Sequence, residues 1–407
     1  MDSSVQPERL SQLHTVGRQY RISGAHRPAA YEYRIQRTIS PAESESMSES
    51  VSFPTRRSFL RKATAAAVTL TGAPRVVTAS RTSSEIIVGE GELRYRVEHA
   101  WPQLPDKYTW QTTHNVAVDS HANLYVIHEG RADLSDHPAI FVFDHEGRFI
   151  RAFGNQFQGG GHGLEVHREG SEEFLYVTGY QQVKAFSKMT LTGETVWEQY
   201  APMDSGVYAA NEDKVRRKVW GRDRFMPTNF AFADDGGFWL ADGYGSWKIH
   251  RYDRDASWVG CFGGPGEGNG TFNTPHGLWL DKRSGGDPEI VVTDRAHGTL
   301  QTFTPDGEYK QTLEGFGLPA NIDTWKNLLL VPELKARVTL LNENNEVLAR
   351  LGTAIDRLGT IEGLRNKPGE WLAGQFVHPH DACFGADGEI FVAEWVGTGR
   401  VSKLTRV

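Results

Sequence analysis

The chain has 407 residues, with 44 Lys and Arg against 51 Asp and Glu and a net charge of −7. A charged fraction of 23% is that of a globular protein, and no apolar run reaches the roughly 18 residues of a membrane-spanning helix. Two cysteines are too few for a disulfide scaffold or a cysteine-rich zinc module. The 43 Gly, 11 Trp and 20 Phe favour an all-β chain, because glycine forms turns and aromatic side chains fill sheet faces.

The first 79 residues are typical of an export signal. Arg56 and Arg57 precede a weakly apolar run over residues 63–73, and the small residues at positions 77–79 suit a signal peptidase. This order of paired arginines, apolar run and cleavage site predicts export by the twin-arginine route. We therefore expect the protein in the periplasm or outside the cell.

The start of this segment also carries a prediction. Met47 lies nine residues before Arg56 and would give a signal of ordinary length, so we expect translation to begin there and residues 1–46 not to belong to the natural protein. Residues 1–79 hold 11 Lys and Arg against 6 Asp and Glu, so the rest of the chain carries −12 rather than −7. Such a negative body disfavours a nucleic-acid partner.

Six repeats fill residues 80–407. Each repeat has a turn, an apolar strand, a polar turn with Gly or Asp, a second apolar strand and a third strand. The residues at the start of the first strands are His114, His162, Thr228, His276, Ala320 and His380, spaced by 48, 66, 48, 44 and 60 residues. Periods of roughly 40–50 residues predict a β-propeller, whereas a β-helix repeat is much shorter. Each repeat resembles an NHL repeat.

The ring needs one more strand to close. The sixth repeat reaches Val407 after only three strands, while residues 92–98 alternate like a strand before the first repeat. We expect this N-terminal segment to supply the outer strand of the last blade, because closure protects sheet edges. The prediction is one six-bladed propeller, acting as a monomer.

Histidines occupy one repeat position on alternate blades. His162, His276 and His380 start the innermost strands of blades two, four and six, which a pseudo-threefold axis relates. The three rings should therefore converge at the channel mouth, and three His with an open fourth position suit a catalytic zinc. The alternative for any one of them is a turn histidine bonded to the backbone. His114 holds the same position in blade one and is expected to face the substrate or support the ligands.

Other candidates share this face. Because the strands are antiparallel, the ends of the second strands and the two longest connections, residues 200–226 and 351–377, lie beside the histidines. The predicted lining is Tyr244, Arg295, Arg131, His378, Asp381 and Trp395. A tyrosine beside a divalent metal can serve as a base, and an arginine there can hold a carboxylate.

These motifs resemble one enzyme family. Gly-His-Gly at 161–163, Pro-His-Gly at 275–277, Pro-His-Asp at 379–381, Asp-Gly-Tyr at 242–244 and Asp-Arg at 294–295 are similar to peptidyl-α-hydroxyglycine α-amidating lyase. The resemblance covers about residues 95–405. It implies a six-bladed propeller with a catalytic zinc and a structural calcium, which cleaves a C-terminal α-hydroxyglycine to a peptide amide and glyoxylate.

The resemblance also implies residue roles. His162, His276 and His380 would bind zinc, Tyr244 would deprotonate the substrate hydroxyl, and Arg295 would bind the substrate. Asp381 and the Leu164 carbonyl match calcium-site positions.

Two positions depart from the family pattern. His378 replaces a methionine, and Glu129 replaces an arginine, a role that Arg131 would have to take over. We therefore keep two alternatives to a lyase acting on a small molecule or a peptide C-terminus. One is a noncatalytic NHL binding module. The other is a metal-dependent lactonase-type hydrolase, although three histidines suit zinc better than calcium.

Overall fold

A computed structural model describes residues 85–131, 133–134 and 136–407. The chain divides into Met1–Thr78 and Ala79–Val407, and the described residues belong to the second unit. The export signal and the start at Met47 lie outside the described residues and stay predictions.

The described residues form six antiparallel sheets arranged as a six-bladed propeller, as the repeats predict. The strands of blades one to three are Thr113–Val118, Leu124–His128, Ile140–Phe143 and Phe149–Phe153; Gly161–Glu169, Glu172–Tyr180, Lys184–Thr190 and Thr195–Gln199; Phe230–Phe232, Phe238–Ala241, Lys248–Tyr252 and Trp258–Gly263. The strands of blades four to six are Pro275–Asp281, Glu289–Asp294, Thr299–Phe303 and Tyr309–Leu313; Asp323–Trp325, Leu328–Glu333, Arg337–Leu341 and Val347–Leu351; Pro379–Phe384, Ile390–Glu394 and Arg400–Arg406.

The N-terminal segment closes the ring, as predicted. Tyr95–Glu98 pairs antiparallel with the last strand, Arg400–Arg406, and Ile87–Val88 adds a fifth strand outside it. The first and last described segments of the chain therefore share one sheet. This pairing removes the open edge that a three-stranded sixth blade would expose.

The core consists of the six interfaces between neighbouring blades. Alternate residues of an inner strand point to opposite faces of the sheet, so each strand serves two interfaces. In blade one, Leu124 and Val126 pack against blade six, whereas Tyr125 and Ile127 pack against blade two. Burial on both faces explains why the second and third strands read as continuous apolar runs.

Blades three and five depart from the predicted register. Their first strands begin at Phe230 and Asp323, which in the repeat is three and four residues later than in the other blades. In these blades the residue at the histidine position is Thr228 or Ala320, and its carbonyl oxygen bonds a histidine ring of the preceding blade. The continuous strand pairing starts beyond this contact, although the backbone N–H groups of Thr228 and Ala320 already bond the second strands.

The connection before blade six forms its own small core. It contains the helix Ile355–Thr360 and the 3₁₀ turns Leu364–Asn366 and Pro368–Glu370. Its buried residue Leu364 packs against Val377. Further 3₁₀ turns lie in the earlier connections, at Asn155–Phe157, Met203–Ser205 and Glu212–Lys214. Within the described part of the chain, no helix has the length and apolar character to cross a membrane.

Candidate metal centre

The histidines at the channel mouth lie at β-bulges. In blade one, the pairing of the first two strands is interrupted between Thr113 and Asn115, on either side of His114. Equivalent interruptions span the histidines of blades two, four and six. A bulge leaves one residue out of the ladder and redirects its side chain. In all four blades that carry a histidine at this position, a β-bulge thus directs its side chain.

His162, His276 and His380 meet at one point, as the alternation of blades predicts. Their ring centroids are 4.8 Å apart for His162–His276, 4.8 Å for His276–His380 and 5.0 Å for His162–His380. Each of the three is at most 2% exposed. The near-equal distances follow from the pseudo-threefold relation of the blades that carry them.

Each ring of this triangle is held by the next blade. Nδ1 lies within hydrogen-bond distance of a backbone carbonyl oxygen: that of Thr228 for His162 (3.1 Å), Ala320 for His276 (2.6 Å) and His114 for His380 (2.9 Å). A carbonyl oxygen only accepts, so each Nδ1 donates the proton and each Nε2 of a neutral ring carries a lone pair. Such support is typical of histidines that bind metal through the other nitrogen.

Glycine makes this support sterically accessible in two blades. A Cβ atom on Gly163 would lie 2.2 Å from the Thr228 carbonyl oxygen, and one on Gly277 would lie 2.8 Å from that of Ala320. Both glycines follow the ligand histidine directly. The Gly that follows His in the two motifs therefore has a local cause, which is close approach to the carbonyl that holds the ring.

The donor set fits a divalent transition metal. Burial lowers the pKa of His162 to about 3 and holds the pKa values of His276 and His380 well below the usual range, so the rings are neutral at pH 7. The Nε2 atoms of His162 and His276 lie 3.2 Å apart with a lone pair on each. Two ligands of a tetrahedral metal with bonds of 2.0–2.1 Å are about 3.3 Å apart. A cation between them would relieve the repulsion of the lone pairs.

Tyr244 and Arg295 complete this side of the triangle. The Tyr244 hydroxyl lies 3.0 Å from Nε2 of His276 and 3.2 Å from Nε2 of His162, and Arg295 Nη1 donates to the same hydroxyl at 3.0 Å. Both residues end second strands or the turns after them, as the sequence predicts. The hydroxyl oxygen thus lies between the proposed ligands and a fixed positive charge.

His114 is a fourth member of the cluster. Its ring centroid is 4.9 Å from that of His162 and 4.7 Å from that of His380. Within the described residues, the group of metal-competent side chains whose ligand atoms all lie within 4.8 Å of one another is His114, His162 and His380. This set differs from the predicted triad. We retain His276 as a ligand because its Nε2 is 3.2 Å from that of His162.

A buried polar network borders His114. Tyr180 ends the second strand of blade two, and its ring centroid is 5.0 Å from those of His162 and Tyr244. Its hydroxyl accepts from Gln181 Nε2 at 2.6 Å, and the same amide contacts the Glu129 carboxylate. Burial raises the pKa of Tyr180 well above its usual range, so its hydroxyl stays protonated. Tyr180 and Glu129 hold the strand-end position that predicts Tyr244, yet the sequence analysis did not select either as a site residue.

The structure does not bring Arg131 into the cluster. Its side chain is 58% exposed and pairs with Asp133, because the turn after the second strand of blade one points it into solvent. Arg365, from the connection before blade six, lies near the histidines instead. Its Nη2 donates to Thr112 Oγ1 at 3.0 Å, and its charge helps to lower the pKa values of His114 and His380. The sequence analysis missed Arg365.

His378 and Trp395 lie beside this arginine. The Arg365 guanidinium stacks 3.3 Å above the centroid of the Trp395 ring, and its Nε donates to the Trp395 carbonyl at 3.0 Å. Nδ1 of His378 donates to the Leu334 carbonyl at 2.6 Å, and its ring is 6.0 Å from that of Trp395. Trp395 therefore supports Arg365, and both residues lie at the edge of the site rather than in the histidine triangle.

A second layer of polar groups lies one to three residues further along the first strands. We call it the oxygen layer; its members are Asn115, Asn229, Asn321, Asp381, Glu165 and the Leu164 carbonyl. Asp381 accepts from Asn321 Nδ2 at 2.6 Å and from the Val116 N–H at 2.8 Å. Glu165 accepts from Asn229 Nδ2 at 2.8 Å. Asp381 and Leu164, which the resemblance assigns to calcium, thus lie in one layer.

The oxygen layer fits a hard cation. Burial raises the pKa of Asp381 to about 7 and that of neighbouring Asp323 to about 6, and it raises the pKa of Glu165 well above its usual range. The Oδ1 atoms of Asn229 and Asn321 are buried without a partner among the described residues. Carboxylate and amide oxygens are the ligands that calcium prefers. The layer opens into a cavity of about 430 Å³ at the far end of the first strands.

The chain is thus a β-propeller with two axial polar layers, one of nitrogen and one of oxygen donors. No protein-family profile matches it. It is similar to peptidyl-alpha-hydroxyglycine alpha-amidating lyase 1 of Drosophila melanogaster, with 28% identity over 200 residues, 43% of this chain and 34% of the fly protein. The similarity confirms the resemblance predicted from the motifs, over about a third of the length of that relative.

Solved propellers share the fold at low identity. A protein of unknown function from Bacteroides thetaiotaomicron superposes with a TM-score of 0.51 and 11% identity, over 76% of this chain and 75% of the other. Virginiamycin B lyase from Staphylococcus aureus gives a TM-score of 0.49 and 13% identity, over 77% of this chain and all of the other. At these identities the likeness concerns the fold alone.

Proposed function

We propose that this protein is a metal-dependent lyase that cleaves an α-hydroxyglycine-type substrate to an amide and glyoxylate. The observation that carries the proposal is the Tyr244 hydroxyl, which contacts the Nε2 atoms of two converging histidines and receives a hydrogen bond from Arg295. A proton acceptor, a metal-competent nitrogen cluster and a fixed cation thus lie within one contact shell.

The reaction breaks the bond between the amide nitrogen and the hydroxylated carbon. The substrate hydroxyl loses its proton, its O–H electron pair forms the carbonyl of glyoxylate, and the C–N pair moves to the nitrogen, which takes up a proton. No water, oxidant or reductant is consumed. The protein therefore needs a base for the hydroxyl, a cation for the carboxylate and a proton for the leaving nitrogen.

The residues supply two of these needs directly. Tyr244 would take the hydroxyl proton, since its oxygen faces the ligand nitrogens at 3.0 Å and 3.2 Å. Arg295 would stabilise the phenolate form of Tyr244 that accepts this proton, and it has further N–H groups for the substrate carboxylate. A divalent metal on the three Nε2 atoms, zinc by resemblance, would polarise the substrate hydroxyl as a Lewis acid.

The test is release of glyoxylate from a peptide that ends in α-hydroxyglycine. We expect zinc-loaded full-length protein to release glyoxylate and the peptide amide in equal amounts. His276→Ala should release neither, whereas His145→Ala should match the wild type, because His145 is an exposed histidine of blade one. Zinc-loaded wild type that forms no glyoxylate would refute the proposal.

A calcium-dependent lactonase-type hydrolase is the second candidate. The observation that favours it is the oxygen layer, where Glu165 and Asp381 meet the cavity at the far end of the channel. This candidate predicts hydrolysis of a sugar lactone with calcium alone, unaffected by His276→Ala and abolished by Glu165→Gln. The two candidates thus use opposite ends of the channel, and one pair of variants separates them.

A further inference from the structure

His114 is the least satisfied polar side chain of the nitrogen layer. It is 1% exposed, and neither ring nitrogen has a hydrogen-bond partner among the described residues. A buried polar group without a partner typically lowers stability. The ring also packs against His162 and His380, at centroid distances of 4.9 Å and 4.7 Å. His114 therefore offers two ring nitrogens without a hydrogen-bond partner, and its ring lies next to two of the predicted metal ligands.

His114 has the same backbone position as the ligand histidines. It lies at the same bulge in its blade, and its own carbonyl oxygen holds the His380 ring. The ligand histidines each have one ring nitrogen next to a backbone carbonyl, whereas His114 has one next to a carboxylate. Its Nε2 lies 4.0 Å from Glu129 Oε2. Carboxylate, histidine and metal often form such a series, in which the acid orients the ring and strengthens it as a ligand. A shift of about 1 Å would bring this contact to hydrogen-bond distance.

We propose that His114 is a fourth imidazole ligand, so that the channel mouth holds a four-histidine metal centre supported by Glu129. The inference rests on the metal centre of the proposed function and does not depend on the reaction. It also has a consequence for the metal. Four imidazoles leave a tetrahedral ion without an open position, so the centre should favour a divalent first-row ion that takes nitrogen donors and accepts five or six ligands.

The alternative is that His114 only faces the substrate. In that case its removal would leave the affinity and the spectrum of the bound metal unchanged. A ligand role, in contrast, makes both depend on the His114 nitrogens. His114→Phe separates the two, because it keeps a planar ring in contact with Tyr180 while it removes both nitrogens. The matched control is His145→Phe, at an exposed histidine in the same blade.

The experiment uses the full chain loaded with Co²⁺ and, separately, with Zn²⁺. X-ray absorption should count four imidazoles in the wild type and in His145→Phe and three in His114→Phe. Competition with a chelator should show that His114→Phe lowers metal affinity at least about 10–100-fold. Glu129→Gln should keep four imidazoles and lower the affinity about 10-fold. Three imidazoles in the wild type, or wild type that binds no metal, would overturn the proposal.

Two further readouts keep the test decisive. The wild-type count needs no variant, so it decides the question even if His114→Phe does not fold, which circular dichroism would reveal. Glyoxylate release is measured separately on the same samples. Four imidazoles without glyoxylate would reject the lyase and retain the four-histidine centre. Glyoxylate with three imidazoles would do the reverse.

Discussion

The two polar layers of the channel are one to three residues apart in sequence and differ in their donor atoms. In blade six, His380 faces the nitrogen layer and Asp381 the oxygen layer. The bulge before Asp381 lets both consecutive side chains enter the channel, although neighbours on a regular strand point to opposite faces. Nitrogen donors suit zinc-like metals, and carboxylate and amide oxygens suit calcium. One irregular strand can thus serve two different metals.

The layers also differ in how they avoid buried charge. The histidines are neutral because burial lowers their pKa values, and three of them use their N–H on backbone carbonyls. The oxygen layer contains carboxyl groups whose pKa values burial raises, so a cation or a proton must compensate them at pH 7. The nitrogen layer therefore carries no buried charge without a metal, whereas the carboxylates of the oxygen layer need a cation or a proton to compensate them.

The largest effect should come from removing one ligand from each layer. His276→Ala should lose the transition metal and lower kcat/KM for glyoxylate release at least about 100-fold, since loss of even a supporting residue can reduce activity 10–100-fold. Asp381→Ala should lose calcium and keep the transition metal. Elemental analysis of both purified variants checks the pair. Loss of both metals in each variant would mean that the layers are not independent.

The next effect concerns Tyr244 alone. Tyr244→Phe keeps the ring that packs on Tyr180 and removes the hydroxyl that contacts the two Nε2 atoms. We expect kcat to fall about 10²–10⁴-fold with unchanged metal content, because the base is lost and the ligands remain. Single-turnover kinetics with metal analysis measures this. A variant with wild-type kcat would exclude Tyr244 as the base.

Sequence alone placed what repeats along the chain. The blades, the closing strand and the convergence of three histidines follow from the spacing of the repeats and from the position of each residue within its repeat. Tyr180 and Glu129 occupy the same repeat position as Tyr244, at the end of a second strand, so the same reasoning could have selected them. Arg365 lies in a connection without any repeat, where a guanidinium stacks on Trp395. No pattern indicates where such a side chain points, whereas Arg131 follows a strand end that the repeat locates and is the arginine nearest to the position where the family has one.

A third prediction concerns stability and contrasts the pKa shifts of the two layers. In the presence of EDTA, the contribution of the oxygen layer to the free energy of unfolding should fall as pH rises from about 4 to 7. The unfolded carboxyls titrate near 4, while Asp323 and Asp381 titrate at about 6 and 7 when folded, so these two groups bind more protons in the folded state. The buried histidines, whose pKa values are lowered, contribute in the opposite direction over the same range. Calcium at pH 7.5 should restore about 2.7 kcal/mol at 100 times its Kd.

Thermal unfolding at pH 5 and pH 7.5, with EDTA or with calcium, measures this effect. Asp381→Asn is the matched variant, because it removes the titration of one group. The histidines and the other carboxyls contribute equally to both proteins, so the stability of the wild type relative to Asp381→Asn should fall between pH 5 and pH 7.5 in EDTA. A relative stability that does not fall with pH, or a wild-type melting temperature that ignores calcium, would contradict the assignment of the oxygen layer.

The smallest effect should distinguish the two arginines at the edge of the nitrogen layer. Arg131→Gln should change kcat/KM less than about 2-fold, because its exposed side chain pairs only with Asp133 and such pairs contribute little. Arg365→Gln should raise KM about 10-fold with a smaller change in kcat, since a half-buried cation near the histidines would bind the substrate carboxylate in ground and transition state alike. Steady-state kinetics of both variants decides the matter. Equal KM values for the two variants would remove Arg365 from substrate binding and leave it the structural role that its stacking on Trp395 already supports.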